Sequence, residues 1–197
     1  MKLKKFCSVP FPEKISEQYE VMKDRIIANI GTDKIKDMML NFIEMHNEWL
    51  FFVLEIPTNL NDEPKDENGG LISRHKDIYY IDGCNQDKAK DILLDTGCLL
   101  IDDGMSGFGF GGHESKEEIF FGKYNELLIY TKDTDKYESF LQSYGIHKTD
   151  KLITAWDIFT PENYGQCELN EVDNRNIYSI VDEYRKDGMY LAERQED

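Results

Sequence analysis

The chain has few basic residues for its length. Its 197 residues include 23 lysines and arginines against 39 aspartates and glutamates, which gives a formal net charge of −16. Proteins that bind nucleic acid gain affinity by bringing cations to the phosphates, so this balance argues against direct nucleic-acid binding. A surface of this sign favours a protein partner with a basic surface, and it also keeps the free protein in solution.

Cysteines and long apolar runs are scarce as well. The four cysteines, Cys7, Cys84, Cys98 and Cys167, lie far apart and form no CxxC pair. The sequence therefore predicts free thiols and no metal site. No apolar segment of signal-peptide length follows the basic start, and the longest apolar run, Trp49 to Leu54, is too short to cross a membrane. We expect a cytoplasmic protein with no membrane contact.

Catalytic motifs are also missing. The histidines stand apart from one another, and no serine or cysteine lies in a nucleophile motif such as GxSxG. His113, beside a run of glycines, is the only histidine that would merit a test as a general base. The sequence therefore predicts no cofactor and favours a protein that is not an enzyme.

Apolar residues at helical spacing predict two helices near the amino terminus. Gly31 can end the first helix, and Thr32 can cap a second one that ends near Asn47. We therefore predict a helical hairpin over about 13–47. The two apolar stripes consist of Ile15, Tyr19, Met22, Ile26 and Ile30, and then Ile35, Met38, Met39 and Phe42.

The rest of the chain alternates short strands and helices. The polar segment 58–76 predicts a long mobile loop. The whole pattern predicts one α+β domain over 1–197, with a mixed, mainly antiparallel sheet and helices packed on one side. Strands are predicted at 48–56, 77–82, 98–101, 118–121, 126–131, 152–159 and 189–192, and helices at 85–97, 137–144 and 177–184, closed by Gly97, Gly145 and Gly188.

The most distinctive segment is the glycine-rich stretch 104–114. Its glycines match the letters of GxGxxG, but no helix follows that could hold a pyrophosphate, and no Lys-Ser/Thr pair completes a P-loop. The alternation of glycine and phenylalanine predicts an extended segment with Phe108 and Phe110 on one face. Bare backbone on the other face would let a neighbouring element approach closely. A partner-binding loop is the alternative.

Acidic residues surround these glycines. Carboxylates can act as acid/base pairs, as ligands for hard metal ions or as an anionic patch for a basic partner, and a solvated acidic face is the plain alternative. Their spacing does not match an EF-hand loop. Trp49 and Trp156 lie in apolar runs, which predicts core positions, with exposed interface anchors as the alternative.

The second half, 107–191, with FGFGG, YNELLIYT, YESFLQSYGI, TAWDIF and IYSIVDEYRKDGMYL, resembles the acidic immunity proteins that accompany bacterial polymorphic toxins. The resemblance implies tight binding of a cognate toxin domain by an acidic face. It contains no diagnostic motif, so it transfers no site residue.

Charge and missing chemistry together predict a non-catalytic protein-binding module. The alternatives are a small enzyme or ligand-binding domain that uses the 104–114 loop, and a structural or regulatory subunit whose acidic surface only keeps it in solution. The predicted partner-binding residues are Asp102, Asp103, Phe108, Phe110, His113, Glu114, Glu117 and Glu118.

Overall fold

The computed structural model describes residues 1–196, which form five α-helices and a mixed, mostly antiparallel sheet. The strands are β1 (Cys7–Ser8), β2 (Gln18–Val21), β3 (Arg25–Asn29), β4 (Leu50–Pro57), β5 (His75–Cys84), β6 (Gly107–Gly112), β7 (Glu118–Phe121), β8 (Glu126–Tyr130), β9 (His147–Lys148), β10 (Gln166–Cys167) and β11 (Tyr190–Glu196). The helices are α1 (Thr32–Met45), α2 (Gln86–Leu100), α3 (Thr134–Ser143), α4 (Ala155–Ile158) and α5 (Ile177–Tyr184). The predicted α+β class is therefore confirmed.

The main sheet has nine strands in the order β11-β5-β4-β6-β7-β8-β3-β2-β9. Its neighbours pair antiparallel except for β2 and β9, which are parallel. A separate two-stranded sheet joins β1 to β10, and so connects the amino-terminal segment to the last third of the chain. None of the helices within 1–196 has the length and apolar content needed to cross a membrane.

Helices α1, α2, α3 and α5 cover one face of the main sheet. Phe52 of β4 and Phe108 of β6 are fully buried in the same cluster as the buried residues of α1, α2, α3 and α5. Because side chains alternate along a strand, Phe51 and Gly109 point to the opposite face. We call that opposite side the outer face of the sheet.

The predicted amino-terminal helical hairpin is wrong in its first half. Residues 18–29 form the β-hairpin of β2 and β3, in which the Met22 N–H donates to the Arg25 carbonyl at 2.8 Å. Ile26 and Ile30 satisfy both a helical spacing of four and the strand spacing of two, and Ala28 between them is also buried. Pairing of β3 with β8 favours the strand. The second predicted helix is confirmed as α1, but the predicted cap is wrong: Gly31 is the N-cap and ends no helix, and Thr32 is the first helical residue and gives no side-chain cap.

Two further predicted strands are wrong. Residues 98–100 continue α2 beyond Gly97, with Ile101 as its C-cap, because Leu100 lies two turns after Leu93 on the same buried stripe. Residues 152–159 contain only the single turn of α4, since Thr154 and Asp157 form a reciprocal capping box. The other predicted helices agree with the structure, and Gly145 and Gly188 follow α3 and α5 at φ values of +75° and +98°.

Candidate interaction surface

The residues predicted for a partner interface do not share one surface. Phe108, Phe110 and Asp103 have no exposed area, because the two rings fill the main core and the carboxylate faces inward. Asp103 accepts hydrogen bonds from the backbone N–H groups of Met105, Ser106 and Asn170. Its carboxylate holds the turn after α2 against the last third of the chain, and it does not reach the surface.

Glu117 is also buried, at the centre of a polar network. Its carboxylate accepts hydrogen bonds from His46 (2.8 Å), the Lys136 ammonium (2.6 Å), the Tyr137 hydroxyl (2.8 Å) and the Thr131 hydroxyl (3.0 Å). Burial by itself would raise the pKa of Glu117, but these donors outweigh it and hold the pKa at about 2. The network ties α1 and α3 to the start of β7, and every acceptor in it is satisfied.

The remaining predicted residues are accessible. His113 and Glu114 are exposed in the turn between β6 and β7, and Glu118 is half-buried on the outer face. Asp102 lies apart from them at the end of α2, where its carbonyl accepts the Phe6 N–H at 3.1 Å. The structure therefore brings together His113, Glu114 and Glu118 from the predicted set.

A row of aromatic rings crosses the outer face beside these three residues. The ring centroids of Tyr190 and Tyr80 lie 6.5 Å apart, those of Tyr80 and Phe51 5.4 Å, and those of Phe51 and His113 5.4 Å. Sequence reasoning missed this row because its members come from β4, β5 and β11, which only the sheet brings side by side.

Trp49 lies beside the aromatic row, just before β4, where its backbone carbonyl accepts the His113 N–H at 3.1 Å. Its side chain is 59% exposed, so the predicted core position is wrong and the alternative of an exposed side chain is confirmed. Trp49 lines an open cleft of about 420 Å³ together with Glu48, Asp87 and Glu114, and His113 is not part of its wall. Trp156, in α4, is also exposed, at 52%, so its predicted core position is wrong too. Its ring packs edge-on against the ring of Tyr124.

We define the outer-face patch as the aromatic row and the polar side chains around it. Its members are Trp49, Phe51, Tyr80, Asp82, His113, Glu114, Glu118 and Tyr190.

The glycines of β6 make room for this patch. A side chain at Gly111 would overlap the Phe51 ring, and one at Gly107 would overlap the ring of Phe120. These rings therefore lie across the bare backbone of β6; the alternation predicted a close approach on this face but not which residues make it. Both edges of β6 are paired, with β4 and with β7, so its backbone N–H groups are not available to cradle a ligand.

The carboxylates of the patch lack cationic partners. Asp82 accepts the Tyr190 hydroxyl at 2.6 Å and contacts the His113 Nε2 at 3.2 Å. Within 1–196, no lysine or arginine forms an ion pair with Asp82, Glu114 or Glu118.

Glu118 is the patch carboxylate whose ionisation is opposed by burial. Burial against the outer face raises the pKa of Glu118 to about 6. Burial and the nearby Glu118 charge also raise the pKa of Tyr80. No hydrogen-bond donor within the described chain compensates the Glu118 carboxylate, so a cation from outside the protein would be stabilised there.

Negative charge alone does not distinguish the outer face from the rest of the protein surface. Exposed aspartates and glutamates also line the helices on the opposite side of the sheet, so the charge is not gathered into the segment 102–118 as the sequence suggested. Examples are Asp33, Asp37 and Glu44 on α1, Asp87, Asp91 and Asp95 on α2, and Asp182 and Glu183 on α5. The outer face is distinguished by adjacent rings from different strands, with Phe51 and Tyr80 half-buried and Tyr190 exposed.

In the part of the chain that the structure describes, no group of three or more His, Cys, Asp or Glu side chains is placed to hold a metal ion. Comparison with protein-family models, with curated proteins and with solved structures finds no match to this chain. Fold and site together define an acidic α+β domain with an aromatic, carboxylate-rich sheet face.

Proposed function

We propose that this protein is a non-catalytic binding module whose outer-face patch captures a basic segment of another protein. One observation carries the proposal. A row of aromatic rings lies on the face of the sheet opposite α1, α2, α3 and α5, beside carboxylates that have no lysine or arginine partner within 1–196.

The chemistry of the patch suits lysine and arginine side chains. Aromatic rings offer a large apolar area at low conformational cost, and their faces attract cations. Interfaces draw most of their affinity from a few such residues, and the surrounding charges mainly set the association rate and the choice of partner. A guanidinium or ammonium group that reaches Glu118 would meet an unpaired carboxylate beside the Tyr80 ring.

We further propose that the partner is a toxin domain and that the protein acts as an immunity or inhibitor protein in the cytoplasm. The resemblance of residues 107–191 to acidic immunity proteins supports this form of the proposal. In such a complex, the negative net charge of −16 would accelerate encounter with a basic toxin surface. The aromatic row would then slow dissociation.

Capture from the native cell tests the binding surface. We expect the tagged wild-type protein to retain one basic protein in a one-to-one ratio. Trp49→Ala and Tyr190→Ala should each lower the affinity for that protein by tenfold or more, as expected for aromatic interface residues. Tyr164→Ala is a matched control, because Tyr164 is 61% exposed and is not part of the patch. Equal retention by all variants would overturn the assignment of the patch.

Growth protection tests the immunity form of the proposal. The protein encoded next to this one is expressed alone and then together with the wild type or with Tyr190→Ala. We expect toxicity from the neighbour alone, protection by the wild type and reduced protection by the variant. If the neighbouring protein is harmless when expressed alone, the immunity role is refuted. If light scattering shows that the protein associates with itself through the patch, the partner is a second copy of this chain and not a foreign protein.

A further inference from the structure

Two cysteines that are far apart in the sequence meet in the small sheet. Cys7 of β1 lies directly opposite Cys167 of β10, and the two Sγ atoms are 2.9 Å apart. Cys84 and Cys98 take no part in this pair. The cysteine spacing gave no sign of it, because 160 positions separate the two residues.

The backbone geometry at this pair suits a disulfide. The Glu168 N–H donates to the Phe6 carbonyl at 2.8 Å, whereas the Cys7 N–H donates to Lys4, so Cys7 and Cys167 form a non-hydrogen-bonded antiparallel pair. Residues in such pairs have Cα atoms about 4.5 Å apart, which lies within the range that disulfides span. Little backbone movement is needed to join the two sulfur atoms.

The two thiols are chemically unequal. Cys7 is buried, whereas Cys167 is partly exposed. The Cys7 S–H group, with the Lys123 and Lys4 ammonium groups nearby, lowers the pKa of the Cys167 thiol. The same hydrogen bond, together with burial, raises the pKa of Cys7. Cys167 therefore has the more stable thiolate and the better access to a reagent in solution.

We propose that Cys7 and Cys167 form a redox-active dithiol that low-molecular-weight disulfides convert into an intrachain disulfide. The Cys167 thiolate attacks one sulfur of the small disulfide, forms a mixed disulfide and releases one small thiolate. Cys7 then loses its proton and attacks the Cys167 sulfur, which releases the second small thiolate. The two cysteines are oxidised, the small disulfide is reduced to two thiols, and the two cysteine protons go to those thiols.

The disulfide would fasten the amino-terminal segment to the last third of the chain. β1 and β10 are only two residues long each, so their backbone pairing is short. A covalent bond between them would restrict the unfolded chain and keep the small sheet closed. This device is independent of the outer-face patch, whose members come from other strands.

Thiol mapping of the folded, full-length protein tests the proposal. The protein is equilibrated with mixtures of reduced and oxidised glutathione, alkylated at low pH and digested for mass spectrometry. We expect a Cys7–Cys167 disulfide to replace the two free thiols as the oxidised fraction rises, while Cys84 and Cys98 stay alkylated. The proposal would be overturned if Cys7 and Cys167 stayed reduced in fully oxidised glutathione, so that both were alkylated afterwards although the protein was folded.

Single substitutions test the order of the two steps. Cys7→Ser is expected to accumulate a glutathione adduct on Cys167, whereas Cys167→Ser is expected to leave Cys7 unmodified. Cys98→Ser removes an exposed thiol and serves as the control, with the disulfide still formed. Circular dichroism checks that each variant is folded. An adduct on Cys7 in Cys167→Ser, with none on Cys167 in Cys7→Ser, would refute Cys167 as the attacking group.

Discussion

Glu117 and Glu118 are neighbours in the chain, yet their carboxyl groups have pKa values shifted in opposite directions. Alternation along β7 sends one side chain toward the helices and the other to the outer face. Burial acts on both groups, but only Glu117 meets enough donors to outweigh it. At the scale of single residues, the partners of a carboxylate therefore decide whether it supports the fold or remains available to bind.

Glu117→Gln tests the structural role of the buried network. The folded-state pKa of about 2 lies below the ordinary value of 4.5, so the carboxylate stabilises the fold above about pH 4.5, and this contribution is lost as the pH falls toward 2. We expect the substitution to lower the free energy of unfolding by about 3 kcal/mol at pH 7. Urea unfolding between pH 7 and pH 3 measures this difference, which should shrink as the pH falls. A loss that does not vary with pH would contradict the assignment.

Glu118→Gln should have the opposite effect. Because the folded-state pKa of about 6 lies above the ordinary 4.5, ionised Glu118 destabilises the fold as the pH rises through 6, and has no such effect below 4.5. We expect the substitution to raise the free energy of unfolding by about 1 kcal/mol at pH 7, and to leave it unchanged at pH 4. Chemical unfolding at the two pH values checks this, with the exposed Glu114→Gln as control. Destabilisation by Glu118→Gln at pH 7 would show that the carboxylate has a partner in the fold.

At the scale of elements, β6 shows how composition and neighbours act together. The glycine–phenylalanine alternation was enough to predict an extended segment with two rings on one side. It could not predict that the rings of Phe51 and Phe120 would lie across the glycines, since those residues come from the adjacent strands β4 and β7. The close approach of three strands then makes the glycines irreplaceable.

Gly109→Ala tests that close approach. A methyl group at Gly109 would overlap the backbone carbonyl of Ile119, and a backbone atom cannot move aside as a flexible side chain can. We expect the substitution to lower the free energy of unfolding by about 3 kcal/mol. Gly122→Ala is the matched control, because its nearest neighbours would lie at 3.7 Å or more, and its φ of −94° suits alanine. Thermal unfolding compares the two variants, and equal midpoints would contradict the packing argument.

The sequence pattern predicted the wrong element where the apolar residues fit both the helical and the strand spacing. Ile26 and Ile30 are compatible with either spacing, and only the pairing of β3 with β8 decides between them. Leu99 and Leu100 looked like a strand after a helix-ending glycine, but they continue the buried stripe of α2. The start of α2 could be predicted, since the Asn85 side chain accepts the Lys88 N–H at 2.8 Å, a contact within one turn of chain; the predicted Thr32 cap of α1 does not form.

At the scale of the whole molecule, two features stand out: the excess of negative charge, and the unequal covering of the two sheet faces by helices. Helices α1, α2, α3 and α5 pack on one face of the sheet, and the other face carries the aromatic row. Exposed carboxylates occur on both sides, so the net charge of −16 repels itself throughout the fold.

Salt should therefore stabilise the protein. Counterions at about 0.15 M screen charges that lie more than about 8 Å apart, which relieves the repulsion between carboxylates. We expect the free energy of unfolding to rise by on the order of 1 kcal/mol between low salt and 0.15 M. Urea unfolding in sodium chloride and in an equal ionic strength of potassium chloride distinguishes screening from specific ion binding. A decrease with salt would show that attractive pairs outweigh the repulsion.

The amino-acid sequence by itself determined the α+β class, the excess of acidic residues, the Asn85 cap of α2, the glycine stops at Gly145 and Gly188, and the extended glycine-rich segment. These features depend on contacts within a few residues or on composition, so they can be predicted from the chain alone. Only the tertiary structure decided that Trp49 is exposed, that Phe51, Tyr80 and Tyr190 adjoin, and that Cys7 meets Cys167. Each of these depends on strand order and register, which bring together residues that are far apart in the sequence.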